Sequence, residues 1–282
     1  MKLRLPSLAP ERPRPGRALG WTADDLATLP YAAHWNPRMG PLPGGAREAL
    51  LRGPLAEPRL PPMADAIGAL VDAEVEDGFA LTAGGAMHLA LRTELPGVTP
   101  AMIDWWFGWH SDHPARYKLW HPHAHVHAAW ARPPAAGTRG RARYLGATSL
   151  VDEYVGSALR RFAIRFVEPA SLGLRDPAVD RGADATAICA AAGLPGVPVD
   201  GGYLVHRVDR VAGGSVMRSR FWIGPPYVTP RTAVAAPLVP LGRAILRATE
   251  PEARALLVHC AEEMAHLATF LPALHRDFHD HP

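Results

Sequence analysis

Two ionisable residues on an apolar helix face carry the most specific chemistry in the sequence. In 249-TEPEARALLVHCAEEMAHLATFLPALH-275, residues Leu256, Cys260, Leu267, Phe270 and Leu274 fall on one stripe at about 100° per residue. Glu263 lies inside that arc, and His259 stands one turn earlier at its edge. An ionised carboxylate among apolar neighbours is costly unless it is paired or bound to a metal. A His and a Glu at i and i+4 project the same way, so His259 and Glu263 form half of a divalent-metal site. The same spacing also occurs as a solvated surface pair of little energetic weight. Position on the wheel separates the two cases, because neighbouring Glu262 points well away from the stripe, as a solvated helix glutamate does. A metal held this way predicts an enzyme.

A second dense region, 110-HSDHPARYKLWHPHAHVHAAW-130, holds six of the fourteen histidines. Histidines 121, 123, 125 and 127 alternate, so an extended strand would present all four on one face, too many for one metal. Pro114 and Pro122 predict that the early part is a turn leading into a strand near His125, with one or two histidines inward; a solvated His-rich loop is the alternative. In 151-VDEYVGSAL-159, Asp152 and Glu153 are adjacent, so on a strand they face opposite sides and one of them faces the interior. In 203-YLVHRVDR-210, His206 shares a strand face with Leu204 and Val208, either as a satisfied core histidine or as a catalytic one. No GxGxxG after a strand, GxxxxGK[ST], GxSxG or HExxH occurs, which removes dinucleotide, P-loop, serine-hydrolase and zincin readings.

These residues need elements to position them. Thr99 as N-cap, Pro100 at the first helical position and Met102, Trp105, Trp106 and Trp109 as one face predict a helix over 99–110. Short strands are predicted over 88–95, 144–150, 162–168, 203–210 and 215–224, the last two joined by a hairpin turn at 212-AGG-214, and a short helix over 63–74. Twelve of the thirty prolines lie in the first 62 residues, in runs such as 10-PERPRPG-16, which precludes long helices or central strands there. Trp21, Leu26, Leu29, Tyr31 and Trp35 make this arm too apolar to be a free linker, so it packs on the main body or on a second subunit. Antiparallel strands followed by a long amphipathic helix form an α+β pattern, with a curved sheet gripping the final helix and a cavity between them.

The bulk numbers exclude several function classes. The 282 residues suit one large domain, or one domain with a substantial extra segment. Thirty basic against 27 acidic residues leave a formal charge of +3, and the arginines are scattered rather than striped, which argues against nucleic acid. Cys189 and Cys260 do not make a disulfide framework. With no leader-like or membrane-length apolar run, a soluble protein of the reducing cytoplasm is expected.

The runs 105-WWFGWH-110, 116-RYKLWHPHAH-125, 151-VDEYVG-156, 206-HRVDR-210, 218-RSRFWIG-224 and 259-HCAEEMAHLATFLP-272 together resemble the 2,4-diacetylphloroglucinol hydrolases, over roughly 80 to 275. The resemblance implies a helix-grip fold of the birch-pollen-allergen (Bet v 1-like) type, with a Pro-rich arm used in dimerisation over 1–77 and a catalytic domain over 78–282. It implies a homodimer, a zinc ion and hydrolysis of a carbon–carbon bond between an aromatic ring and an acyl group, with an acylphenol or β-diketone as substrate. Its zinc ligands fall on His125, Glu153, His259 and Glu263, and its substrate-contacting residues on Tyr117 and His206. The chain departs from the pattern at Ala128, where the family has an asparagine, and at a second active-site tyrosine that corresponds to Phe221 or Tyr227. Two other classes fit parts of the pattern: a cupin-like dioxygenase or isomerase using an HxH such as His123/His125, and a non-catalytic helix-grip carrier of polyketide-like ligands.

Overall fold

A computed structural model describes residues 17–67 and 70–280. Nine strands build one sheet: β1 Gly78–Leu81, β2 Met87–Pro96, β3 His125–Trp130, β4 Thr148–Val155, β5 Ala158–Val167, β6 Ala185–Gly193, β7 Val199–Val211, β8 Gly214–Ile223 and β9 Thr229–Pro230. Their order is β1-β2-β8-β7-β6-β5-β4-β3, with β9 added beside β7, and every strand pair is antiparallel. The helices are α1 Ala23–Thr28, α2 Gly44–Arg52, α3 Met63–Ala66, α4 Pro100–Trp109, α5 Pro114–Trp120, α6 Arg141–Tyr144, α7 Pro177–Arg181, α8 Val239–Ile245 and α9 Glu250–Phe278. This is the α+β arrangement expected, with the long terminal helix lying on the sheet.

Local chemistry accounts for the two helices that matter most. The Thr249 side chain accepts from the Glu252 backbone and the Glu252 carboxylate returns to the Thr249 backbone, a capping box that starts α9 cleanly. Thr99 caps α4 in the same way by accepting from the Met102 N–H, with Pro100 in the first turn. The buried face of α4 is rotated from the predicted one: Ile103, Trp106, Phe107 and Trp109 are inside, whereas Met102 and Trp105 are only half-buried. On α9 the stripe holds, except that Leu257 is fully buried and Leu256 half-buried.

The helix α9 packs on β1 and β2 and also on β4, strands on opposite flanks of the order, so the sheet curls around it. The inner face contributes Leu89 and Leu91 from β2, Val151 from β4, Phe166 from β5, Ile188 from β6, Val208 from β7, and Met217 and Phe221 from β8 to one core with α4 and α9. The outer face is covered too: Ile67 and Leu70 pack with Trp222, Val205 and Cys189, and Leu60 and Val75 pack with Ala90. The arm thus belongs to the core. Trp21 stacks on Trp35, and Tyr31 sets its ring edge against Trp109 and Phe278. The early run 10-PERPRPG-16 lies outside the described residues.

Several elements differ from expectation. The strand predicted to begin at 144 begins at Thr148, because Tyr144 ends α6 and Gly146 takes a positive φ of 77°. Pro114 does not mark a turn but opens α5, with the His113 ring accepting from the Ala115 N–H. Of the helix predicted over 63–74, Met63–Ala66 is α-helical, whereas the chain from 70 onward forms bends. The strand β6, with sequence ATAICAAAG, lacks the β-branched and aromatic residues by which strands are recognised. The hairpin is tighter than 212–214, since β7 runs to Val211 and pairs it with Gly214.

Candidate metal centre and active site

The strand β3 delivers His125 to the interior and, through a bulge, turns His127 away. His125 pairs with Glu153 of β4 and His127 with Asp152, with a register shift between His125 and His127. Adjacent residues of β4 face opposite sides, so the extra residue puts His125 and Glu153 on the inner face and His127 and Asp152 on the outer one. His123 is exposed. Asp152 is neutralised on its own side by Arg17 of the arm and by Arg161. Of the alternating histidines, His121 and His125 face inward.

Opposite them, one face of α9 presents His259 and Glu263. The ligand atoms of His125, His259 and Glu263 all lie within 4.8 Å of one another, and all three residues are buried. The Glu263 Oε2 is 3.4 Å from His125 Nε2 and 3.7 Å from His259 Nε2. Glu153 approaches from β4, with its two oxygens each 3.8 Å from the Nε2 of His125 and of His259. Three of the four residues singled out in the sequence, His125, His259 and Glu263, therefore share one point, and Glu153 flanks it from β4.

The ring orientations show what that point can hold. His125 Nδ1–H donates to the Tyr117 carbonyl at 2.9 Å, which fixes the tautomer and leaves the Nε2 lone pair facing the carboxylates. That Nε2 is buried and has no hydrogen-bond partner. His259 is held likewise by the Tyr154 backbone. Glu263 accepts no hydrogen bond from an N–H or O–H donor among the described residues, so lone pairs and carboxylate oxygens meet with no proton between them. A buried anion without donors costs several kcal/mol, and a divalent cation is the partner that removes the deficit. The donor set of two imidazoles with one or two carboxylates fits such an ion.

The electrostatics follow from burial. Burial raises Glu153 to about 7, a hydrogen bond from Tyr117 opposing it. Burial and the nearby Glu153 charge hold Glu263 well above the ordinary carboxylate range. Burial and His121 push His259 down to about 3, and burial with the other imidazoles pushes His125 well below its usual value. The Tyr117 ring lies flat against His125, centroids 3.7 Å apart, and its hydroxyl donates to Glu153 Oε2. Burial and that carboxylate raise the Tyr117 pKa, keeping the phenol protonated.

His206 sits inward on β7, its ring between Phe107 and Phe221 at 6.1 and 5.6 Å. Its Nδ1 is 2.8 Å from the Ser219 hydroxyl, and burial lowers it to about 3. Phe221 thus lines the interior. Tyr227 belongs to the outer face, where its hydroxyl donates to His88 Nε2 at 2.7 Å while His88 Nδ1–H donates to the Leu60 carbonyl. Ala128 is fully buried on the inner face beside Val151.

Two features escaped the sequence reading. Glu262 is not simply solvated: its Oε2 lies 3.3 Å from His121 Nε2, and His121 stacks on His259 at 5.1 Å. The histidine that contacts it arrives from a turn, which a helical wheel does not display. Ser219 was also unmarked, because a lone serine on a strand carries no spacing signal.

Comparison with known proteins places the chain in a family. The family profile described as the DAPG hydrolase PhiG domain matches residues 63–276. A 2,4-diacetylphloroglucinol hydrolase of Pseudomonas sp is 34% identical over 267 residues, 88% of each chain. A second, from Pseudomonas protegens, is also 34% identical and is covered over 84% of its length. A phloretin hydrolase of Eubacterium ramulus is 27% identical over 94% of this chain and 96% of its own. A solved structure from Rhizobium leguminosarum overlies 62% of this chain and 97% of its own at 12% identity and a TM-score of 0.27, too low to argue fold from. With the profile spanning most of the chain and a third of its residues shared with curated relatives along nearly their whole length, the protein belongs to the 2,4-diacetylphloroglucinol hydrolase family and is a hydrolase of carbon–carbon bonds in ketonic compounds.

Proposed function

We propose that this enzyme is zinc-dependent and cleaves the bond between an acyl group and a phenolic ring or β-diketone carbon, on an acylphloroglucinol-type substrate, releasing a carboxylic acid. The observation that carries the reading is the donor-free convergence of His125, His259 and Glu263, with Glu153 beside them. The relatives named for diacetylphloroglucinol and for phloretin, both acylphenols, supply the substrate class. A zinc ion held by His125, Glu153, His259 and Glu263 would supply Lewis-acid polarisation and lower the pKa of a water to about 7.

The protein side chains do the rest. An acylphenol resists hydrolysis because its leaving group is an aryl carbanion, unless the ring first tautomerises to a β-diketone. His206, kept neutral by burial, takes the phenolic proton on Nε2 and returns it to the ring carbon that bears the acyl group. Tyr117 orients the substrate with a hydroxyl held protonated. The acyl–ring bond then breaks with its electron pair passing to the ring as an enolate, hydroxide from water ends on the acyl carbon, the water's other proton goes to the ring oxygen, and the ring carbon keeps its proton. Phe221 and Ala128 give the pocket wall apolar surface where a ring hydroxyl would otherwise find a partner, which favours substrates with fewer polar contacts at that edge.

His259 and Glu263 lie on a helix, whereas cupin ligands lie on strands, and a carrier has no need of an unpaired buried carboxylate. A helix-grip frame and a homodimer built through the arm complete the proposal; two buried free cysteines suit the cytoplasm. The test is incubation of the purified enzyme with 2,4-diacetylphloroglucinol and with phloretin, products identified by mass, alongside elemental analysis of the protein. About one zinc per chain and release of the acyl acid are expected. Absence of cleavage of any acylphenol or β-diketone, or no bound metal, would overturn it. His206→Ala and Tyr117→Phe should keep the zinc while losing about 10²- to 10⁴-fold in kcat.

A further inference from the structure

The proton on His206 has to be on one particular nitrogen for the chemistry above, and the structure contains one group able to decide which. His206 and Ser219 are direct cross-strand partners on β7 and β8, so their side chains emerge side by side on the inner face. The Ser219 hydroxyl is completely buried and 2.8 Å from His206 Nδ1. The Cys260 thiol, on the residue that follows His259 on α9, lies near the same hydroxyl. No side-chain hydrogen bond engages the Nε2 of His206 among the described residues, which leaves that nitrogen available to substrate.

We propose that Ser219 is the positioning residue for His206: it accepts the Nδ1 proton, fixes the ring plane, and leaves the Nε2 lone pair as the base that faces the substrate. The inference deepens the reading of His206 as proton carrier and rests on it. A neutral imidazole bears one N–H, and the partner of one nitrogen sets the state of the other. A hydroxyl can donate or accept, so the second bond of Ser219 matters. The cross-strand placement of His206 opposite Ser219 sets the serine oxygen 2.8 Å from Nδ1, where it can offer a lone pair to Nδ1–H while its own hydrogen turns to another acceptor such as the neighbouring thiol. The step then balances: the phenolic O–H proton moves to Nε2, the resulting imidazolium keeps Nδ1–H on Ser219, and the Nε2 proton passes to the ring carbon, which restores the starting tautomer. Without Ser219 the ring could present N–H at Nε2 and could rotate between Phe107 and Phe221.

Nitrogen-15 spectra of the zinc-loaded enzyme, with the His206 signals identified by their loss in His206→Gln, report the tautomer directly. Wild type and Ser219→Thr should carry the proton on Nδ1. Ser219→Val, which keeps the shape of threonine without its hydroxyl, should redistribute it. On 2,4-diacetylphloroglucinol, Ser219→Val should lose roughly 10- to 100-fold in kcat with KM within about twofold, zinc content unchanged, and Ser219→Thr should restore most of the rate. A wild-type proton on Nε2, or a Ser219→Val enzyme with wild-type kcat, overturns the assignment. If the wild type cleaves no acylphenol, the functional reading falls, and the nitrogen spectrum still decides the role of Ser219.

Discussion

The inner core buries two carboxylates in opposite states. Asp104 on α4 receives a hydrogen bond from the Tyr144 hydroxyl at 2.6 Å and another from Thr186 at 2.8 Å. Glu263 on α9 faces two imidazole nitrogens and a second acid and accepts no proton from any of them. Burial raises both carboxyl pKa values, so neither burial nor a shifted pKa separates structure from function. The separating quantity is the supply of donors: Asp104 is a closed account, and Glu263 is satisfied only by something that is not protein.

The comparison breaks most sharply if both acids behave alike when removed. Glu263→Ala should abolish metal retention and cost at least about 10³-fold in kcat/KM, equivalent to about 4 kcal/mol of barrier, read by elemental analysis and kinetics. Asp104→Ala strands two buried hydroxyls and should destabilise the fold by about 2–4 kcal/mol in urea unfolding, with zinc still bound. Zinc at 100 times its Kd should raise unfolding free energy by about 2.7 kcal/mol in wild type and in Asp104→Asn, and by nothing in Glu263→Ala. The smallest effect belongs to Tyr144→Phe, about 1 kcal/mol of stability from one lost hydrogen bond. Metal-free Glu263→Gln sharpens the contrast, because it removes an acid whose ionisation burial and the neighbouring Glu153 both oppose, and it should melt higher than metal-free wild type at a pH where Glu263 ionises.

Much of the site was legible in the sequence because it follows periodic rules. The wheel placed Glu263 inward, and strand alternation set Asp152 and Glu153 on opposite faces. What escaped depends on a register offset by one residue or on a partner distant in sequence. The bulge that separates His125 from His127 inverts a face without changing composition. The hairpin offers the clearest case: a turn of Ala212 and Gly213 pairs His206 with Ser219, whereas a three-residue turn at 212–214 would have set His206 opposite Arg220. Helix α5 was hidden by reading Pro114 as a breaker when it occupies a first helical turn, where its missing N–H costs nothing. The alanine-rich β6 is a strand by context alone, held between β5 and β7.

The arm and the end of α9 meet: His34 bonds Asp277 at 3.0 Å and Tyr31 lies against Phe278. Trp21 donates to the Ala115 carbonyl and Lys118 to that of Gly20, which pins α5, whose Tyr117 supports both His125 and Glu153. On the ribosome the chain emerges N-terminus first, so the arm, β3 and β4 are made before α9, which follows them in chain order, and their inner face lacks its cover until α9 emerges. No nascent fragment short of α9 owns His259 or Glu263. A metal shared by His125, His259 and Glu263 can therefore be captured only after α9 has been made and has docked, which puts its loading late in the assembly of the site.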